Sequence, residues 1–362
     1  MEKDFKKDIL DKLLIENDLT DISFNGKSLY IQDNIKGRFK LNEKVNVNSI
    51  YNYIKQLTNE NNEQFNDEKP VLDTEFPNLR VNAVHQSLSP SNLTLGLRAS
   101  KPTVRIKQYD KNFAPKTIFD LLEVLVKARC NILISGKTGS GKTEMQKYLV
   151  NHINDTDKIV LIEDTMDSHI KQLYPNKDIL SWKINNRIKE PIGFDELIKT
   201  ALRNNPDWII VSETRGSEAY SMLKSALSGH HIITTLHSLN ATNNIERLIH
   251  MCKEKYNLDQ NLLGSMICDN FDIGIHLEHF IDEDGVKRYV SEIVEYIEYG
   301  KAGTVVNPLY RRTIKIKKHN DEFKYVTEYD YGKISRNLFN KLTKEKVVNS
   351  SINKFLKEEY FV

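Results

Sequence analysis

Apolar residues follow two different patterns in the two parts of the chain. Up to about residue 100, short alternating stretches such as 71–76 and 79–85 come after amphipathic helical stretches such as 46–66. From residue 117 onward, short and wholly apolar stretches alternate with amphipathic helices, as where 131–135 precedes the helix predicted over 142–153. The second pattern is typical of a mostly parallel sheet covered by helices. The predicted fold class is therefore α/β, with a smaller α+β domain at the N-terminus.

The length of 362 residues fits about two domains. We expect an N-terminal α+β domain over 1–105, a linker over 106–116, and the α/β domain over 117–300. A C-terminal extension over 301–362 then carries alternating strands and a final helix, predicted over 334–359. Residues 1–20 also read as a charged helix.

Composition and charge argue against several classes of protein. Lys and Arg number 52 against 50 Asp and Glu, and this balance argues against a basic coat for nucleic acid. No stretch approaches the ~18 apolar residues of a membrane span, and the charged first residues do not resemble a signal peptide. The three cysteines are far apart, which predicts neither a disulfide framework nor a zinc site. We therefore expect a cytoplasmic protein that reaches a membrane only by docking to a partner.

A phosphate-binding loop is the clearest motif. The pattern GxxxxGK[ST] is matched by Gly136, Lys137, Thr138, Gly139, Ser140, Gly141, Lys142 and Thr143. Its glycines allow backbone N–H groups to point at a phosphate, and the helix that follows adds its positive end. Lys142 would reach the β- and γ-phosphates, and the Thr143 hydroxyl would hold Mg²⁺. The motif predicts that the chain binds ATP and Mg²⁺.

Two further strands are predicted to end in acids. Glu163 follows the strand 158–162, and Glu213 follows the strand 208–211. Carboxyl ends of parallel strands form the ligand-binding edge of such sheets. Glu213 is thus the candidate to orient the attacking water or to hold the Mg²⁺ shell, while Glu163 either assists or only caps a loop. Asp207, at the start of its strand, is expected to be a structural cap.

Two histidines flank the predicted strand 231–235. His230 precedes it and His237 follows it shortly afterwards. Each is a candidate for sensing the γ-phosphate or joining a water network, and an ordinary structural histidine is the alternative in each case.

These motifs together resemble the secretion ATPase superfamily, which includes the type II and type IV secretion ATPases, the conjugation and tad-pilus ATPases and the pilus retraction motors. The resemblance rests on the phosphate loop, on an "Asp box" at Glu163, on a Walker B pattern and on a "His box" at His230 and His237. The Walker B pattern PDxIxVGExRxxE is matched at Pro206, Asp207, Glu213, Arg215 and Glu218, with Ser212 in place of the usual glycine. The absence of a tetracysteine insertion and the R-x-V-x-E-I segment at 288–293 favour the type IV secretion, conjugation and tad-pilus group.

The resemblance implies a homohexamer with a C-terminal RecA-like domain that hydrolyses ATP to power secretion, conjugation or pilus assembly. Arg215 is implied as a further catalytic residue, and Arg80 and Arg98 look like the N-terminal arginines that contact phosphate in this family. Ordinary surface charges remain the alternative for that pair. The implied partners are polytopic inner-membrane platform proteins or secretion-channel proteins, at the inner face of the cytoplasmic membrane, without direct binding of nucleic acid.

Two other functions stay open from sequence alone. A RecA-like nucleic-acid motor is disfavoured by the near-neutral charge and by the lack of a basic, aromatic stripe. A nucleotide-regulated scaffold with negligible turnover is disfavoured by the presence of Glu213 and His237. A DNA-stimulated rate that falls with salt would favour the motor, and a phosphate-release assay separates an enzyme from a scaffold.

Overall fold

The computed structural model describes residues 9–15, 18–42, 45–106, 109–185, 189–319 and 322–361. The chain divides into two compact units. Unit 1 comprises residues 1–101 and 280–287, and unit 2 comprises residues 102–279 and 288–362. The sequence-based boundaries at 105, 116 and 300 stay predictions. Among the described residues, no helix combines the length and the apolar character needed to cross a bilayer.

Unit 1 is built on a six-stranded antiparallel sheet in the order β3-β2-β1-β6-β5-β4. Two helices accompany it, α1 (Ile9–Ile15) and α2 (Val47–Glu60). The strands are β1 (Leu19–Phe24), β2 (Leu29–Asp33), β3 (Gly37–Lys40), β4 (Val71–Phe76), β5 (Leu79–Val84) and β6 (Thr94–Ala99). Alternate residues of β2, β4, β5 and β6 are buried, and the buried apolar side chains of the sheet pack against those of α2 to form one core.

The helix expected over 1–20 is wrong in its C-terminal part. Residues 1–8 and 16–17 lie outside the described part of the chain, the helix ends at Ile15, and β1 begins at Leu19. Leu19, Ile22 and Phe24 of β1 are buried in the core of unit 1. Burial in the sheet therefore determines the conformation of this segment more strongly than its local helical pattern.

Unit 2 is built on a nine-stranded sheet with helices on both faces; residues 280–287, where two of its strands meet, belong to unit 1. Its strands are β7 (Ile132–Gly136), β8 (Ile159–Glu163), β9 (Ile179–Lys183), β10 (Trp208–Val211), β11 (His231–Leu236), β12 (Ile273–Asp282), β13 (Gly285–Gly300), β14 (Gly303–His319) and β15 (Glu322–Tyr331). Its helices are α3 (Lys116–Lys127), α4 (Lys142–Asn151), α5 (Ile170–Leu173), α6 (Phe194–Leu202), α7 (Glu218–Leu227), α8 (Asn244–Lys253), α9 (Gln260–Asn270) and α10 (Arg336–Lys344). Two 3₁₀ segments follow, Ser350–Phe355 and Glu358–Tyr360.

The sheet of unit 2 runs in the order β15-β14-β13-β12-β7-β11-β10-β8-β9. The six strands from β12 to β9 in this order are parallel to their neighbours, whereas β14 pairs antiparallel with β13 and with β15. Every residue of β7, β8 and β10 is buried, as expected for strands covered by helices on both faces. The predicted fold class is confirmed: a mostly parallel α/β sheet preceded by a smaller α+β unit.

Two details of unit 2 differ from the sequence-based expectation. The helix predicted over 334–359 is wrong, because α10 ends at Lys344 and Lys346 takes a left-handed φ of 57°. Two β-branched valines follow, and the Asn349 side chain then accepts hydrogen bonds from Ser351, which supports a short 3₁₀ segment instead. The sequence pattern does not predict the edge strand β9, since its sequence ILSWK is neither wholly apolar nor clearly alternating.

Candidate functional site

The phosphate loop lies between β7 and α4, at the carboxyl edge of the parallel strands. Gly136 has φ +150°, and a Cβ added there would lie 2.4 Å from the carbonyl oxygen of Leu277. Gly141 has φ +99° and directly precedes the first turn of α4. Both positions thus require glycine, one because of a close backbone approach and the other because of a left-handed turn. The loop conformation is the one that the motif predicts.

Lys142 reaches back over this loop. Its Nζ donates to the carbonyl oxygens of Gly136 at 3.0 Å and of Lys137 at 3.3 Å, and it lies 3.5 Å from Nδ1 of His237. Burial lowers the pKa of Lys142, while the nearby Glu213 carboxylate raises it and Arg215 lowers it further. A buried ammonium group inside a loop of backbone dipoles is well placed to bind an anion.

Glu213 is the centre of a charged cluster beside the loop. Its Oε1 lies 3.0 Å from Nε2 of His237, and its Oε2 accepts a hydrogen bond from Arg215 at 2.7 Å. Arg215 also pairs with Asp164 at 3.0 Å, which joins the ends of β8 and β10. Burial by itself would raise the pKa of Glu213, but Arg215, His237 and Lys142 outweigh it, so the pKa lies below its ordinary value. Glu213 is therefore an ionised carboxylate at neutral pH.

The backbone on both sides of Glu213 is fixed to the neighbouring strand. The N–H of Thr214 donates to the carbonyl of Thr235, and the Thr235 hydroxyl donates to the carbonyl of Ser212, each at 2.8 Å. Thr214 also shares a 2.7 Å hydrogen bond with the hydroxyl of Thr234. The two threonines of β11 therefore hold the turn that presents Glu213, which gives the polar residues of that buried strand a definite role.

Glu163 lies in a different environment from Glu213. It is the last residue of β8, it is 1% exposed, and its Oε1 accepts a hydrogen bond from the N–H of Ser168 at 3.2 Å. Burial raises its pKa to about 7, against the hydrogen bonds from Ser168. Near neutral pH a large fraction of Glu163 is therefore protonated, and it then carries no negative charge.

Not all predicted residues come together. His230 lies at the amino end of β11, where its Nδ1 is 2.8 Å from the carbonyl oxygen of Pro206, while His237 follows the carboxyl end. The six residues of β11 separate the two histidines by roughly 20 Å, so the structure does not bring His230 to the phosphate loop. Asp207 also lies at the amino edge, bonded to Arg129 and to the backbone of Lys158, as expected for a structural cap.

Arg80 and Arg98 belong to unit 1. They are directly paired across β5 and β6, and both side chains are about half exposed. Arg80 lies 3.7 Å from Asp73, and Arg98 donates to Asp21 at 2.9 Å. Two cations on adjacent strands are unfavourable unless carboxylates balance them, as they do here. Their part in catalysis stays a prediction.

Arg288 is a site residue that sequence reasoning did not identify. Its Nε donates to the carbonyl of Gly139 at 2.7 Å, and its Cδ lies 3.6 Å from the position of a Cβ on Gly141. Burial lowers the pKa of Arg288, as does the charge of Arg105. The only sequence signal was its position at the start of the R-x-V-x-E-I segment, which did not indicate a contact with the phosphate loop.

The residues present fit a nucleotide phosphate and a magnesium ion. The buried hydroxyl of Ser140 and Oε1 of Glu213 have no aligned hydrogen-bond partner among the described residues, and Thr143 is exposed in the first turn of α4. Within the same part of the chain, no cluster of three His, Cys, Asp or Glu side chains could hold a metal. Mg²⁺ typically takes one or two protein ligands together with substrate phosphates, so Thr143 and Glu213 suffice as candidates.

Comparisons with known proteins give the relatives of this chain. The model of the family described as type II/IV secretion system protein matches residues 70–270. A Bacillus anthracis protein, pXO2-25, is 36% identical over 301 residues, which cover 80% of this chain and 67% of that protein. The type IV secretion system protein VirB11 of Bartonella quintana is 36% identical over 143 residues, 39% of this chain and 40% of VirB11. The match therefore spans about two fifths of the length of VirB11.

Among solved structures, the ATPase DotB of Legionella pneumophila is similar with a TM-score of 0.55 and 18% identity. The alignment covers 78% of each chain. At this identity the likeness shows the fold alone. It agrees with an N-terminal domain followed by a RecA-like domain, as the sequence predicted.

Proposed function

Because the chain belongs to the type II/IV secretion system protein family, we propose that it is an ATPase whose hydrolysis of ATP powers a bacterial secretion, conjugation or pilus assembly machine. The observation that carries this proposal is the Glu213 cluster beside the phosphate loop. It combines an ionised carboxylate, a buried lysine and a histidine at one edge of the sheet. A scaffold that only binds nucleotide would not need a carboxylate held in this way.

In this proposal, the residues of the loop bind the phosphates of ATP. Lys142 and the backbone N–H groups that follow Gly136 neutralise charge on the transferred phosphoryl group, and Arg288 holds the loop in the binding conformation. Mg²⁺, held by Thr143 and Glu213, would neutralise charge on the phosphate oxygens.

Glu213 orients the attacking water and accepts its proton. Its low pKa keeps it ionised, and the fixed turn from Ser212 to Thr214 keeps it in position. His237 bridges Glu213 and Lys142 and so keeps the carboxylate close to the loop. Arg215 pairs with Glu213 and Asp164 and thereby sets the direction of the carboxylate. Arg80 and Arg98 are proposed to add positive charge to the transferred group.

A homohexamer at the inner face of the cytoplasmic membrane, in contact with polytopic platform or channel proteins, belongs to the same proposal. It is supported by family membership, since VirB11 is a protein of the type IV secretion system. The transported cargo is left open.

The test measures nucleotide binding and phosphate release for the full chain and for two variants. Lys142→Ala should abolish hydrolysis, because the variant loses its contact with the γ-phosphate. Glu213→Gln should still bind ATP and hydrolyse it at least 100-fold more slowly, because an amide cannot accept a proton. Lys253→Ala, an exposed lysine at the end of α8, is the matched control and should behave like the wild type.

Two outcomes would contradict parts of the proposal. Unchanged turnover in Lys142→Ala would refute the phosphate-loop assignment. Turnover of Glu213→Gln within twofold of the wild type would move the role of base to another residue, and Glu163 would then be the first to test.

A further inference from the structure

The last two strands of the sheet extend beyond its body. Strand β13 pairs with β14 only as far as Arg311, whereas β14 and β15 stay paired up to His319 and Glu322. Residues 312–319 and 322–329 therefore form a two-stranded ribbon at the edge of unit 2, which we call the distal ribbon. Two strands alone bury little apolar surface, so the side chains of such a ribbon face the surroundings on both sides.

One face of the distal ribbon is apolar. Directly paired residues share a face, and the register places Ile316 opposite Tyr325 and Ile314 opposite Thr327. The large side chains on this face are more exposed in the outer half of the ribbon: Ile314 is 39% and Tyr329 40% exposed, whereas Ile316 is 60%, Phe323 68% and Tyr325 76% exposed. These five side chains form one contiguous patch, unlike the singly scattered apolar residues that are normal on a protein surface.

The charges of the distal ribbon are unevenly distributed. Its described residues carry five cations and only two carboxylates. Both carboxylates, Glu322 and Glu328, lie on the opposite face, where Glu328 pairs with Lys315 at 2.6 Å. The apolar face carries Lys318, whose Nζ lies 5.9 Å from the ring centre of Phe323, and, at its inner end, Arg312, which donates to the carbonyl of Asn112; among the described residues this face has no carboxylate. The apolar face is therefore complementary to an occupant that is both apolar and anionic.

We propose that the apolar face of the distal ribbon binds the surface of an anionic lipid bilayer. The isoleucines and Phe323 would enter the boundary between headgroups and acyl chains, with the tyrosine rings at the headgroup level. Lys318 at the tip would lie at the lipid phosphates, with its methylene groups along the apolar side chains. This contact goes beyond the proposed ATPase function, because it uses no residue of the nucleotide site.

The size of the face favours a bilayer over a protein. Eight residues per strand give a face about 27 Å long and about 10 Å wide, or roughly 270 Å². A stable protein interface needs about 800 Å² on each partner, so this face alone is about a third of what is required. A bilayer sets no such minimum, since a few apolar and cationic side chains can add to binding elsewhere on a protein.

The placement of the cations disfavours nucleic acid. Stacking of bases on Phe323 and Tyr325 would require cations on the same face to follow the phosphate backbone. Three of the lysines, Lys315, Lys317 and Lys324, lie on the other face, where each is within 4 Å of a carboxylate. Ile314 and Ile316 would in addition lie against phosphates rather than against an apolar surface.

The first experiment is flotation of the full chain with lipid vesicles. We expect the wild type to float with vesicles of equal parts phosphatidylcholine and phosphatidylglycerol, and at least tenfold less with phosphatidylcholine alone. A variant that combines Ile316→Ser, Phe323→Ser and Tyr325→Ser should float with the anionic vesicles at least tenfold less than the wild type does. Leu262→Ser, which removes an exposed leucine from α9, is the matched control and should bind like the wild type. Nucleotide binding should be unchanged in both variants, which separates this proposal from that of the ATPase.

The second experiment does not depend on the folding of the triple variant. Tyr325→Trp puts a tryptophan on the apolar face, and Val326→Trp puts one on the other face one residue away. After subtraction of the wild-type signal, brominated lipids should quench the tryptophan at 325 at least threefold more than that at 326. Equal quenching would overturn the proposal, as would a wild type that does not float. Self-association or oligonucleotide binding that is lost in the triple variant, without vesicle binding, would assign the face to a second copy or to nucleic acid and would equally overturn it.

Discussion

Glu163→Gln should change how the stability of unit 2 depends on pH. Glu163 is almost fully buried, and its pKa rises from an ordinary value of 4.5 to about 7 because of that burial. Between these two values the folded state holds a proton that the unfolded state has released, so the free energy of unfolding falls as the pH rises. The rise of the pKa from 4.5 to about 7 corresponds to roughly 3 kcal/mol of stabilisation. This stabilisation is lost progressively as the pH rises from 4.5 to about 7. Because Gln is neutral at every pH, the Glu163→Gln variant does not lose stability in this way as the pH rises.

The assay is urea unfolding followed by tryptophan fluorescence at several pH values between 5 and 8.5. Both tryptophans, Trp182 and Trp208, lie in unit 2 together with Glu163, so the signal reports on the unit that changes. The free energy of unfolding of Glu163→Gln relative to the wild type should rise by about 2.5 kcal/mol between pH 5 and pH 8.5. Glu358→Gln replaces an exposed carboxylate of the same unit and should show no such rise. A difference for Glu163→Gln that stays constant with pH would refute the reasoning, because it would mean that Glu163 ionises equally in both states.

Three further predictions concern single side chains. Arg288→Ala should weaken nucleotide binding by about 10- to 100-fold, because this change corresponds to the free energy of one charged hydrogen bond to the phosphate loop. A titration with fluorescent nucleotide measures the affinity, and an unchanged affinity would contradict the prediction. Asp207→Asn should lower the midpoint of thermal unfolding by about 2–4 °C, because Asp207 accepts hydrogen bonds from Arg129 and from the backbone of Lys158. Nucleotide affinity should be unchanged, because Asp207 lies at the amino edge of the sheet, away from the phosphate loop. A lost affinity would contradict the structural role of Asp207. Arg98→Ala should slow phosphate release at least tenfold while the exposed Arg38→Ala does not, and equal rates for the two variants would remove Arg98 from the proposed site.

The order of elements in unit 2 could be predicted because the signal is local. The strands β7, β8 and β10 are short runs of apolar residues, and the glycines of the phosphate loop determine the turn between β7 and α4. Parallel strands place their carboxyl ends at one edge, so the approach of Glu213 and His237 to Lys142 followed from the same pattern.

What could not be predicted depends on contacts between distant residues. Arg288 is 149 residues from Gly139 in sequence, and only the adjacency of β13, β12 and β7 in the sheet brings it to the phosphate loop. The distal ribbon is similar: sequence showed alternation over 309–331, but only the register shows that the aromatic residues and most of the lysines lie on opposite faces. The periodic pattern likewise does not show where α10 ends, because the end depends on the left-handed conformation of the single residue Lys346.

The two acids at the carboxyl edge have opposite titration behaviour, and this bears on which of them can serve as the base. Glu213 is held ionised by Arg215, His237 and Lys142, so it can accept a proton at neutral pH. Burial raises the pKa of Glu163 to about 7, and the nearby charges of Asp167 and Asp164 raise it too, so a large fraction of Glu163 is neutral near pH 7 and able to donate a hydrogen bond. When the environment separates the pKa values of two neighbouring carboxyl groups in this way, it separates their roles as well. The electrostatics therefore support the proposal that Glu213 is the base, and they are consistent with Glu163 holding the loop from Glu163 to Ser168, the alternative that the sequence leaves open for it.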